Sequence, residues 1–101
     1  MLVVNAKIVA SPETIDAMRA AIATMEAASR AEPGCEDYTF SVELSNSAVM
    51  RITERWTDEA ALKAHFLTPH MAEFQAAMAA NPPQSVEAIC YEAAEVPLPR
   101  P

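Results

Sequence analysis

The chain of 101 residues contains a single glycine, Gly34, and that scarcity removes whole classes of function. Loops that cradle nucleotide phosphates or flavins need several glycines so that backbone N–H groups can approach the ligand, and no such fingerprint is present. Basic residues are also few. Seven Lys and Arg against 14 Asp and Glu leave a formal charge of −7, which repels phosphate backbones and anionic lipid, so no nucleic-acid partner is expected. No apolar run approaches the roughly 20 residues of a membrane span, and the first residues, MLVVNAKIVA, carry no basic leader region, so no membrane contact is expected either. The two cysteines, Cys35 and Cys90, fit no CxxC pattern and read as reduced thiols of a cytoplasmic protein.

What is present is apolar: 51% of the residues, much of it alanine, with an aromatic set of only Tyr38, Phe40, Trp56, Phe66, Phe74 and Tyr91. One domain over residues 1–93 is expected, with a proline-rich tail, AAEVPLPRP, from residue 94 to 101 that has no core of its own. LVVNAKIV reads as a short β-branched strand. Ser11-Pro12 opens a helix in which Ile15, Met18, Ile22 and Met25 recur at helical spacing over about 18–20 residues. The helix ends at Glu32-Pro33-Gly34, where proline disfavours continuation and glycine permits a left-handed turn.

CEDYTFSVEL alternates, with Tyr38, Phe40, Val42 and Leu44 on one face. SNS at 45–47 reads as a turn, and AVMRITERW as the second arm of a hairpin. Thr57 or Asp58 caps a further helix, and Thr68-Pro69 starts a last helical piece over 69–80. SVEAICYE, 85–92, is a fourth strand. The order β-α-β-β-α-β predicts an α+β, ferredoxin-like fold, a four-stranded antiparallel sheet with helices on one face. The first strand is apolar on both faces, so a second sheet is expected to cover the outer one, which predicts a homodimer.

His65 and His70 flank Pro69. On one unbroken helix they would diverge; a bend at Thr68-Pro69 lets both face one cleft. As metal ligands they have no third group at a recognisable spacing, so no metal is expected. As groups that titrate near neutrality they can move protons. Asn5 sits in an apolar strand, where its amide can bond a neighbouring element or donate to an oxyanion. Trp56 is a core candidate whose indole N–H needs a partner if buried.

EPGC at 32–35, ERW at 54–56 and DEAALKAHFLTPH at 58–70 resemble the antibiotic biosynthesis monooxygenase family, most closely its small quinol-monooxygenase-like bacterial members. The resemblance implies a dimeric α+β barrel with a pocket in each subunit between sheet and helices. It also implies Asn5 as a pocket residue, since an asparagine on the first strand recurs among the family's oxygenases. Relatives span cofactor-independent oxygenases, haem-degrading enzymes and an isomerase of a phosphorylated ketone. The haem-ligating position falls near Gln75, and no cofactor is expected.

The function implied is a cofactor-independent monooxygenase of a quinol-like or polycyclic aromatic: a base deprotonates the substrate and the anion reacts with dioxygen. His65 is the expected base, Asn5 and the Trp56 N–H the oxyanion donors, and Tyr38, Phe66, His70, Met71 and Phe74 the substrate-lining residues. The rival readings are an isomerase using the same histidines and a non-catalytic dimer that binds a hydrophobic metabolite.

Overall fold

The computed structural model describes residues 1–101. The strands are β1 (Leu2–Val9), β2 (Cys35–Glu43), β3 (Asn46–Trp56) and β4 (Ser85–Glu92), and the helices are α1 (Pro12–Ala17), α2 (Arg19–Arg30), α3 (Glu59–His65) and α4 (Pro69–Ala80). They form one four-stranded sheet in the order β2-β3-β1-β4, with every pairing antiparallel. This is the ferredoxin-like α+β arrangement that the element order predicts.

Helix starts follow local chemistry. Ser11 Oγ accepts from the Thr14 N–H at 3.1 Å, Asp58 Oδ1 from the Ala61 N–H at 2.9 Å, and Thr68 Oγ1 from the Met71 N–H at 3.3 Å. Each cap satisfies a backbone donor that the first helical turn leaves free. Two details depart from the sequence reading. The first helix is divided at Met18, whose N–H is shared between the Thr14 and Ile15 carbonyls, which tightens the turn there. The hairpin turns at Leu44-Ser45 rather than over 45–47, because Asn46 already pairs with Glu43 across a register shift. Leu44 is therefore fully exposed rather than a core residue.

Even-numbered residues of β1 and β3 face the helices. Ala6, Ile8, Met50, Ile52 and Trp56 join Ile15, Met18, Met25, Leu62, Met71 and Phe74 in the core. Odd-numbered residues form the outer face, where among β1 and β3 only Val49 is buried. All eight residues of β4 are exposed, and so is the tail, including Val96 and Leu98. The two sheet edges differ. On β2, the Phe40 N–H donates to Glu26 Oε2 at 2.8 Å and the Tyr38 carbonyl accepts from Arg30 Nε at 2.9 Å, so side chains of α2 occupy edge groups that another strand would need.

Gly34 adopts φ +82°, and a Cβ placed there would lie 2.6 Å from the Ala61 Cβ and 2.7 Å from Thr57 Oγ1. Left-handed backbone and absent space act together. Gly34→Ala should therefore destabilise the fold by about 2–4 kcal/mol, combining the left-handed penalty with overpacking. Denaturant unfolding measures it, and a midpoint equal to that of the parent would show that the turn relaxes freely.

Candidate functional site

The turn after α2 converges beneath the sheet with the bend between α3 and α4, 33 to 38 positions further along. Glu32 lies in the turn after α2, His65 at the C-terminal end of α3 and His70 in the first turn of α4. A single carboxylate oxygen, Glu32 Oε2, lies 2.6 Å from His65 Nδ1 and 2.8 Å from His70 Nε2. An ionised carboxylate only accepts hydrogen bonds, so both of these ring nitrogens carry protons and donate. Thr68 holds the bend open: its backbone is extended (φ −78°, ψ 151°), and its hydroxyl donates to the His65 carbonyl at 2.7 Å. The histidine rings stand 6.0 Å apart between centroids.

His65 is wholly buried. Its ring packs against Trp56 at 4.7 Å, Tyr38 at 5.3 Å and Phe66 at 5.7 Å between centroids, and its Nε2 has no hydrogen-bond partner. A protonated Nε2 would leave an unsatisfied donor in this shell, so the neutral ring with its proton on Nδ1 fits the surroundings. His70 is more open. It borders a groove of ≈ 220 Å³ between α2 and α4, lined also by Thr24, Met25, Glu73 and Phe74.

Next to His65 lies a second buried carboxyl. Glu54 is 8% exposed on β3, and its Oε1 accepts the Trp56 indole N–H at 3.0 Å. Burial raises its pKa above the ordinary 4.5, and the indole bond opposes that rise only in part. Burial likewise pushes the Tyr38 phenol and the Cys35 thiol upward, reinforced by the charges of Glu54 and Glu32. Both side chains stay protonated at neutral pH.

Several sequence expectations need correction. Asn5 is exposed on the outer face of the sheet with Lys7 and Arg51, opposite to His65 and Trp56. Alternation along β1 forces this: Leu2 pairs with Trp56 and faces the helices, so Asn5, three residues on, points the other way. The Trp56 N–H is engaged by Glu54 and is not free for an oxyanion. His65 is sealed, so the residue of the pair that reaches a groove is His70. Phe66 is 58% exposed and lines a different groove, with Leu2, Leu62 and Cys90, between α3 and β4. Tyr38, Met71 and Phe74 are core residues, and of these only Phe74 borders the His70 groove. Glu32 was not among the expected site residues. Its signal was positional, an acidic residue directly before the chain's only Pro-Gly pair.

The sequence profile of the antibiotic biosynthesis monooxygenases matches residues 1–77. Among solved structures, a candidate antibiotic biosynthesis monooxygenase from Deinococcus radiodurans is 26% identical, with a TM-score of 0.89 and complete coverage of both chains. A Pseudomonas aeruginosa protein is 30% identical at a TM-score of 0.82, covering 93% of this chain and 94% of that one. An uncharacterized protein of Synechocystis is 34% identical over 73 residues, 72% of this chain, which spans about half the length of that curated relative.

Because the native state holds the Glu54 proton more tightly than the unfolded chain does, ionising it costs native stability as pH rises above the ordinary carboxyl range. Glu54→Gln keeps an acceptor for Trp56 and removes that cost. Its melting temperature should exceed the parent's at pH 7–8 by a few degrees, and the advantage should vanish near pH 4. Equal melting temperatures across the range would mean Glu54 ionises freely in place.

Proposed function

The chain belongs to the antibiotic biosynthesis monooxygenase family, and from that premise we propose that it oxygenates a small, electron-rich aromatic of the quinol type, with Glu32 and His70 as the proton-accepting pair. The observation that carries this reading is the shared oxygen: Glu32 Oε2 holds His65 Nδ1 at 2.6 Å and His70 Nε2 at 2.8 Å. With its Nε2–H donated to Glu32, His70 has Nδ1 left as the basic atom. A proton taken there creates an imidazolium beside a carboxylate, which stabilises it. His65 makes no contact with substrate; it positions Glu32 from within the aromatic shell. Met25 and Phe74 supply the apolar wall of the groove.

The reaction balances without a further reductant. Loss of the phenolic proton to His70 leaves an anion with charge on a ring carbon. That carbon bonds dioxygen and, with a proton returned, becomes a hydroperoxide. Loss of water breaks the O–O bond and leaves one oxygen on the ring as a carbonyl. A quinol and dioxygen thus give a hydroxyquinone and water, all electrons coming from the substrate. Oxygen consumption with a naphthohydroquinone should exceed the uncatalysed rate, and label from ¹⁸O₂ should enter the product. In Glu32→Gln and His70→Ala the turnover number should fall at least about a hundredfold, the scale of a lost general base. Unchanged turnover in both variants, or oxidation without label, would refute the assignment.

The working unit in this reading is a homodimer closed by packing of the outer sheet faces. Support comes from Ile89 and Tyr91, exposed at 43% and 48%, beside the half-buried Val3 and Val9 on a face that the chain leaves bare. Light scattering at micromolar concentration should return twice the chain mass. A monomer there would remove the dimer.

A further inference from the structure

We propose that Glu32, His65 and His70 form a three-ligand site for a divalent transition ion of the zinc class, which binds in place of the two protons they share. The three groups offer Glu32 Oε2, His65 Nδ1 and His70 Nε2, all within 4.8 Å of one another. Two imidazoles and a carboxylate are the donor set of many three-ligand zinc centres, and neighbouring donors around such an ion lie roughly 3.0–3.4 Å apart at bond lengths of about 2.0–2.1 Å. The present separations of 2.6 and 2.8 Å are those of shared protons. An ion therefore needs the two Glu32 contacts to open by about half an ångström, while the two ring nitrogens, up to 4.8 Å apart, close towards the same spacing. Glu32 sits in a turn and can retreat through its own rotamers, and the partly exposed His70 ring turns towards the enclosed His65 to close the remaining gap.

The surroundings suit the exchange. His65 cannot swing away, because Tyr38, Trp56 and Phe66 enclose its ring. His70 and Glu32 keep side-chain exposures of 17% and 11%, which gives an entry path and leaves a fourth position for water on the groove side. The net charge of −7 favours a cation. One local cost opposes binding. When Nδ1 of His65 turns to the ion, the ring proton moves to Nε2, which has no acceptor. That cost is one unmet hydrogen bond, which three metal–ligand bonds outweigh.

Ion and shared protons exclude each other, so the loaded site cannot act as a base. Binding can be measured without substrate, which separates it from the fate of the oxygenase reading. Chelator-treated protein should be titrated with Zn²⁺ against a chromophoric chelator, and with Co²⁺ for its visible spectrum. The expected result is one ion per chain, with an affinity that falls as pH drops below about 6.5, where free imidazole protonates. The Co²⁺ protein should show nitrogen and oxygen ligation with no thiolate charge-transfer band. Glu32→Gln and His70→Ala should each bind at least about tenfold more weakly, and Cys90→Ser should bind as the parent does. No ion bound by the parent at micromolar concentration overturns the proposal. So does undiminished affinity in both site variants, or loss of binding in Cys90→Ser.

Discussion

A carboxylate held between two imidazoles is the constraint on which the interior of this protein depends. Glu32 is almost withdrawn from water, and taking a charge out of water costs several kcal/mol unless hydrogen bonds replace the lost hydration. Both histidines supply such bonds, each charge-assisted and therefore stronger than a neutral pair. The arrangement ties the α2–β2 turn to residues 33 and 38 positions further along. No other side-chain bond in the molecule joins those segments, so this one oxygen adds a polar tie to the apolar packing of Leu62, Met71 and Phe74 that seats α3 and α4 on the sheet.

The position of Glu32 is fixed in turn by Gly34. The Cys35 N–H donates to the Glu32 carbonyl at 3.1 Å, and the Thr57 N–H donates to the Gly34 carbonyl at 2.8 Å. Gly34 thus links the acidic turn to the start of α3, and with no Cβ it lets Ala61 approach closely. Four residues beyond Ala61, one turn along the same helix, lies His65. The glycine's freedom of backbone and its missing side chain both set the distance between Glu32 and the imidazole it binds. A larger residue would move the helix away from the carboxylate.

Much of this was legible in the sequence, and the exceptions share a cause. Element order, the caps at Ser11, Asp58 and Thr68, and the bend that aligns His65 with His70 follow from local rules of spacing and turn chemistry. The face on which Asn5 lies also follows from alternation, but only once the register of β1 with Trp56 is known, and register is a long-range property. The same holds for Glu32: nothing in its neighbourhood announces that two histidines more than 30 positions away will converge on it. Nor could the sequence reveal that Glu54 engages the Trp56 N–H. These residues are consecutive on one strand face, and either could have turned to an outside partner.

The unequal sheet edges bear on how two chains can meet. Exposed edges invite strands from other molecules, and a chain with two open edges can add copies without end. Here α2 places Glu26 and Arg30 over the Tyr38 and Phe40 groups of β2, while β4 keeps its edge and both faces bare. A head-to-tail contact of β4 on the β2 edge of the next copy would have to displace that ion-bearing cover. Contacts that relate like to like, face on face or β4 beside β4, meet no such obstacle, and a two-fold contact of that kind closes after two copies. The cover on β2 therefore disfavours open-ended addition of strands and leaves like-to-like contacts as the ones the sheet permits.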